Sequence, residues 1–202
     1  MSTSPRGPNA PFHHGDLRQA LVEATTGLIE RDGPASVSLR EAARITGVSH
    51  NAPYRHFPTR EALLAAVAEN GFRRLRAAFE EAAAAPDDRL LALGQAYVRF
   101  ASANPGLFRL MFGGDVGKDA HPDLRRAAGE AFALLREAGA QGGSDAPREA
   151  ALGAWALVHG LAHLVVDDQL SDDLREDAAD GRLLERIVQV FGPRTAGVRR
   201  RP

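Results

Sequence analysis

Apolar residues recur three and four positions apart over most of this chain, and no run alternates β-branched with polar residues. Side chains at that spacing share one face of an α-helix, whereas a half-buried strand needs a period of two. An all-α fold follows. Leu17, Leu21, Ala24 and Leu28 form the first stripe and predict a helix over 16–32, stopped by Gly33-Pro34. The same reading places further helices at 38–47, 50–56, 58–85, 87–103, 106–112, 121–139, 147–167 and 173–191. That makes about nine: a three-helix N-terminal module joined to a helical-bundle body.

The 202 residues can bury a substantial core, as one domain or as a module of about 50 residues fused to a larger one. The absence of cysteine excludes disulfides, thiolate metal sites and cysteine nucleophiles. Residues 1–11 are proline-rich, without the apolar core of a signal peptide. The most apolar stretch, 152–166, holds two histidines and falls short of the roughly 20 residues of a bilayer span. A soluble, cytoplasmic protein with no membrane partner is expected. Net charge is only −1, but its distribution is uneven: residues 34–60 carry four arginines against the single acid Glu41, and residues 61–202 carry 18 basic and 21 acidic residues. A small basic module on an acidic body suits a chain that meets phosphates at one end.

Within that basic stretch the helix punctuation is close-set. Ser38-Leu39-Arg40-Glu41 has capping-box spacing, in which the serine oxygen accepts from the amide three residues on and Glu41 returns the bond. Gly47 ends this helix after two turns, Val48 follows as a buried spacer, and Ser49 is placed to cap the next helix. Two short helices joined by a tight glycine turn make a helix-turn-helix. A second helix presenting His50, Asn51, Tyr54 and Arg55 from its first two turns would carry donors into the major groove. There Asn pairs bidentately with adenine and Arg with guanine. Thr59, as the next cap, leaves neighbouring amides open to a phosphate oxygen. Arg40, Arg44 and Arg55 also read as a solvated helix face, Phe57 as core, and His56 as either a structural hydrogen bond or a phosphate contact. Pro53 is tolerated only in a first turn, so the third helix should begin no earlier than His50.

The segment SLREAARITGVSHNAPYRHF (38–57), followed by PTREALLAAV, resembles the TetR family of bacterial regulators. Gly47-Val48-Ser49, Tyr54-Arg55-His56-Phe57 and Arg60-Glu61-Ala62-Leu63-Leu64 match its signature in order and spacing. The resemblance implies that Arg40 reaches a base or nearby phosphate, that Tyr54 donates its hydroxyl to a phosphate, and that Arg60 grips the backbone. With Ser38, Ser49, His50, Asn51, Arg55 and Thr59 these make the expected contact set for double-stranded DNA.

In the body, Trp155-Ala156-Leu157-Val158-His159-Gly160-Leu161 is similar to the Trp…His-Gly signature of a C-terminal subgroup of the family, the WHG type. Asn104-Pro105-Gly106-Leu107-Phe108-Arg109-Leu110-Met111-Phe112 resembles a second landmark. The resemblance implies a body that binds a small molecule and forms the dimer, and a repressor released by its ligand. The expected organisation is a disordered arm (1–15), the helix-turn-helix domain (16–60), the ligand-binding and dimerisation domain (61–191) and a disordered basic tail (192–202). Phe100, Phe108, Met111, Phe112, Phe132, Trp155, His159 and His163 are the candidate lining; aromatics and Met with a few polar tips suit a largely apolar effector. The alternative is ordinary helix-packing core.

His159, His163 and Asp167 are spaced by fours on one helix face. That spacing suffices for two ligands of one metal and a carboxylate third. No Glu stands ready for a hydrolytic water, since 160–162 are Gly-Leu-Ala. A metal sensor or metal-dependent enzyme centred on His159 and His163 is therefore one rival, and a ligand-free architectural DNA-binding protein another. The favoured expectation is a non-enzymatic regulator with no metal and no cofactor. Small residues Ala150, Ala151, Gly153 and Ala154, with the stripe Leu183, Leu184, Ile187, Val190 and Phe191, point to a homodimer through the last two helices. A twofold dimer sets two recognition elements about one DNA turn, or a multiple of it, apart, hence a palindromic operator.

Overall fold

A computed structural model of the chain describes residues 14–84, 88–141 and 146–191; these contain nine α-helices and no strand. The helices are α1 (His14–Asp32), α2 (Leu39–Thr46), α3 (Arg60–Ala82), α4 (Arg89–Ala103), α5 (Pro105–Phe112), α6 (Pro122–Gln141), α7 (Pro147–Val166), α8 (Asp172–Ala179) and α9 (Arg182–Phe191). The expected disordered arm lies, up to residue 13, outside the described residues, as do the tail from 192 on and most of the 140–146 loop.

Local chemistry sets most boundaries. The Gly33 N–H donates to the Ile29 carbonyl at 2.9 Å, closing α1, and Pro34 cannot continue the helix. Asp88 caps α4 by accepting from the Leu91 N–H at 3.0 Å. Pro105 and Pro147 occupy first helical turns, where a missing N–H costs nothing.

Two of the nine elements differ from expectation. The segment 50–56 is not an α-helix; its regular part is the 3-10 turn Pro53–Arg55. The last helix, expected over 173–191, is two: α8 and α9 are broken at Asp180-Gly181, where Gly181 takes φ 84°. Asp177 spans the break by accepting from Arg182 at 2.9 Å and Arg186 at 2.5 Å. Those two guanidinium groups, Arg186 first, hold its carboxyl below the usual carboxylate range.

The chain forms two compact units: 1–77 with 104–132, and 78–103 with 133–202. In the first, Leu21, Ile29, Phe57, Leu63, Leu64, Phe72, Leu75 and Phe108 are fully buried. The buried Thr25 hydroxyl donates to the Leu21 carbonyl at 2.7 Å, so its burial leaves no unmet donor. In the second, α4, α7 and α9 converge at Gly94, where an added Cβ would lie 2.8 Å from Leu184 Cδ2 and 3.0 Å from Val158 Cγ1. Phe79 and Tyr97 stack beside it at 6.3 Å between centroids. The apolar stretch Arg148–Val166 runs to 19 residues, long and apolar enough by composition to cross a membrane, which corrects the shorter count made from sequence. Only a third of it is buried within the chain.

Candidate nucleic-acid interface

The N-terminal site is assembled from short-range caps. Ser38 Oγ accepts from the Glu41 N–H at 3.0 Å and starts α2. Glu41 does not return the bond as the capping box predicts. Its carboxylate takes the Arg44 guanidinium in a fork, with Nε 2.9 Å from Oε2 and Nη2 2.6 Å from Oε1. The Arg44 guanidinium holds Glu41 below the usual carboxylate range, and Arg44 is correspondingly raised.

At the other end Gly47 sits in the left-handed region at φ 69°, the conformation a side chain resists. Its N–H reaches Ala43 and Arg44 carbonyls, and the Val48 N–H donates to the Ala43 carbonyl at 3.0 Å. Val48 is half-buried rather than buried. The chain then winds through bonds from the Ala52 N–H to Ser49, the Arg55 N–H to Ala52, and the His56 and Phe57 N–H groups to Pro53. All but the last of these bonds span three residues rather than four, so the run is a 3-10 turn and not a regular α-helix. Pro53 and Phe57 are buried and anchor it, and Arg18 of α1 lies over the Phe57 ring at 5.3 Å.

This winding turns one set of side chains outward. Ser49, His50, Asn51, Tyr54 and Arg55 are all exposed, as is Arg40 on α2; Tyr54 is 47% exposed. Among the described residues, the side chains of His50, Asn51, Arg40 and Arg55 make no internal hydrogen bond or ion pair. Thr59 caps α3, its Oγ1 accepting from the Ala62 N–H at 3.1 Å. Arg60 is engaged internally: Nε donates to the Val37 carbonyl at 2.9 Å and Nη2 to the Pro34 carbonyl at 2.6 Å, tying the start of α3 to the α1–α2 connection. Of the four arginines, Arg44 is neutralised and Arg60 is tied, leaving Arg40 and Arg55 outward. Nothing short-range signals the Arg60 tie or the Arg18 contact, which join residues far apart in sequence.

The eight candidate lining residues fall into two groups. Phe108, Met111, Phe112 and Phe132 belong to the first unit, where Phe112 lies 4.8 Å from Phe108 and 6.4 Å from Phe132 between centroids. Phe100, Trp155, His159 and His163 belong to the second. Phe100 borders a cleft of about 460 Å³ with Ala78, Glu81, Ala82, Ala96 and Arg99. His159 Nδ1 is hydrogen-bonded to the Tyr97 hydroxyl at 2.8 Å, with Trp155 at 5.5 Å and His163 at 4.7 Å between ring centroids. Burial pushes the Tyr97 phenol well above its ordinary value, so it stays protonated. His163 pairs with Asp167 at 3.5 Å. Among the described residues no three His, Asp or Glu side chains converge as a metal cage.

Residues 21–67 match the family of bacterial regulatory proteins, tetR family, and residues 90–191, just over half the chain, match the tetracyclin repressor-like C-terminal domain. The chain is 27% identical over 184 residues to an uncharacterized HTH-type transcriptional regulator of Mycobacterium tuberculosis, covering 88% of this chain and 83% of that protein. It is 33% identical over 110 residues to the nucleoid occlusion factor SlmA of Aliivibrio fischeri, across 52% of this chain. The match takes in 54% of that protein, so the chain spans about half the length of the nucleoid occlusion factors it resembles. A solved protein of unknown function from Rhodococcus sp. RHA1 superposes with a TM-score of 0.75 at 36% identity, over 91% of this chain and 97% of that one. With the capped helix-turn-helix in place and both family matches in sequence order, the chain belongs to the TetR family of DNA-binding transcriptional regulators.

Proposed function

We propose that the protein is a homodimeric repressor that binds a palindromic operator and is released by a small-molecule effector held in its body. The observation that carries the DNA half is the outward row of His50, Asn51, Tyr54 and Arg55, displayed on a segment anchored by buried Pro53 and Phe57, together with Arg40 exposed on α2. In this reading Asn51 and Arg55 read base edges with His50, and Tyr54 and Arg40 meet phosphates. Ser38, Ser49 and Thr59 hold the backbone that presents them, and their nearby amides face the phosphate chain. Arg60, expected to grip DNA directly, is assigned a positioning part through the carbonyls it ties. The helix-turn-helix serves as the DNA domain over 16–60, and 61–191 as the sensor and dimer domain.

The dimer half rests on α7. Leu152, Leu157 and Leu164 are exposed along one face, with Gly153, Ala156 and Gly160 between them. Leu183 and Leu184, expected on that interface, turn inward, and the side chain of Phe191 lies outside the described residues. Among the described side chains of that stripe, Val190 alone is strongly exposed. The interface assigned here is therefore the α7 face with the end of α9.

The test is selection of bound DNA from a random pool, followed by titration of the recovered site. A sequence with twofold symmetry is expected, and Arg55→Ala and Asn51→Ala should each lose about ten- to a hundredfold in affinity and relax preference at one base pair per half-site. Recovery of sites without symmetry, or variants that bind as the native protein does, would overturn the reading. Non-selective binding to any duplex would favour the architectural alternative.

A further inference from the structure

Lys118 opens the short 3-10 turn Lys118–Ala120, at the end of a loop that carries Gly113, Gly114 and Gly117. Its Nζ lies 5.1 Å from the Phe72 ring centroid and 5.5 Å from that of Phe112. Beneath it Phe72 meets Phe112 edge-on at 5.4 Å and Phe132 at 6.3 Å. Phe72 and Phe108 are fully buried while Phe112 and Phe132 are half-buried, so one side of the aromatic cluster reaches the surface, and Lys118 lies across it. Among the described residues no carboxylate pairs with this ammonium. Its sequence neighbour Asp119 is 3.8 Å from Arg125 instead. Burial alone pulls Lys118 below the ordinary lysine value.

A lysine ammonium is compact and strongly hydrated. Here it has given up part of its water for two ring faces, which return only a fraction of what an anion would. All these residues lie in one unit. We infer that Lys118 and the rings of Phe72, Phe112 and Phe132 form the effector site, and that it takes a small amphipathic carboxylate. The acid group pairs with Nζ and the apolar tail packs on the half-buried faces of Phe112 and Phe132. A single point-charge donor matches a monoanion better than a phosphate, which calls for several converging donors. The inference rests on the effector-responsive reading above and narrows its ligand from largely apolar to apolar with an acid head.

The experiment is calorimetric titration of the full chain, without DNA, with 4-phenylbutyrate and with decanoate. The neutral counterparts are 4-phenylbutan-1-ol and 1-decanol. At least one acid should bind saturably, and its alcohol about ten- to a hundredfold more weakly, the worth of a charge-assisted hydrogen bond. Lys118→Gln should remove that preference for acid over alcohol while leaving the alcohol's affinity in place, and Lys118→Arg should restore most of it. Phe112→Ala should weaken acid and alcohol alike, which separates the tail contact from the head. Equal affinity for acid and alcohol, an unchanged Lys118→Gln titration, or no saturable binding by either acid would overturn the inference. The same acid is then added to the protein on its selected operator. Lys118-dependent binding that leaves operator affinity unchanged would sink effector release but not the site.

Discussion

Gly106 marks a close approach of α5 to α1 in the first unit. A Cβ there would lie 2.7 Å from the Ile29 carbonyl oxygen and 3.0 Å from Glu30 Cα, both backbone atoms of α1. A flexible side chain could swing aside, but a helix backbone cannot without carrying its neighbours. Gly106→Ala should therefore cost about 1–3 kcal/mol, the range for overpacking a tight contact, seen as a lower midpoint in chemical denaturation. A midpoint equal to that of the native protein would mean that α1 and α5 part easily at this point. Gly129 is the matching control, since an added Cβ there meets nothing within 4 Å and the helix should gain rather than lose.

The contact at Gly106 belongs to a larger device at the level of elements. The first amides of α5 have no helical partner of their own, and Glu30 of α1 supplies one: Oε2 accepts from the Gly106 N–H at 2.8 Å and Oε1 from the Leu107 N–H at 2.9 Å. One carboxylate thus caps a helix that begins 75 residues further along the chain. Glu30→Ala should destabilise the protein by about 1.5–3 kcal/mol and speed hydrogen exchange at the Gly106 and Leu107 amides. Exchange at the native rate would show that the cap contributes nothing. This contrast explains what could be read from sequence. The caps at Ser38, Thr59 and Gly47 were legible, because each is settled by residues within three or four positions. The Asn104-Pro105 start of α5 was legible for the same reason. The carboxylate that completes it was not, nor were the Arg60 tie and Lys118 over Phe72, since each depends on residues that only the fold brings together. Pro53 lies between these cases. Its presence signalled a constraint, but that the segment shrinks to a 3-10 turn follows from Ala52 bonding back to Ser49, which local pattern did not decide. The α8–α9 break is a stop signal of the ordinary kind, Asp180-Gly181, that an amphipathic reading of 173–191 as one helix overrides.

For the whole molecule, the decisive question is what covers α7. Leu152 is 59% exposed and Leu164 45%, and both lie on the face that also carries Gly153, Ala156 and Gly160. Within one chain nothing requires those glycines: an added Cβ at Gly153 or Gly160 meets no atom within 4 Å. Small residues flanked by leucines suit the close approach of a second helix, and a twofold axis through that face would use every side chain twice. Burying an exposed leucine stabilises by about 1.5–3 kcal/mol, so Leu152→Glu with Leu164→Glu removes four such burials from the proposed dimer and adds unpaired acids facing each other. The dimer dissociation constant should rise by a factor on the order of 1,000 or more. Sedimentation at micromolar concentration should then show a monomer with its helical content intact. Operator binding should fall in step, since each half-site must then be held independently. A variant that stays dimeric would move the interface off α7. A monomer that holds the selected operator as tightly as the native protein would separate dimerisation from DNA recognition.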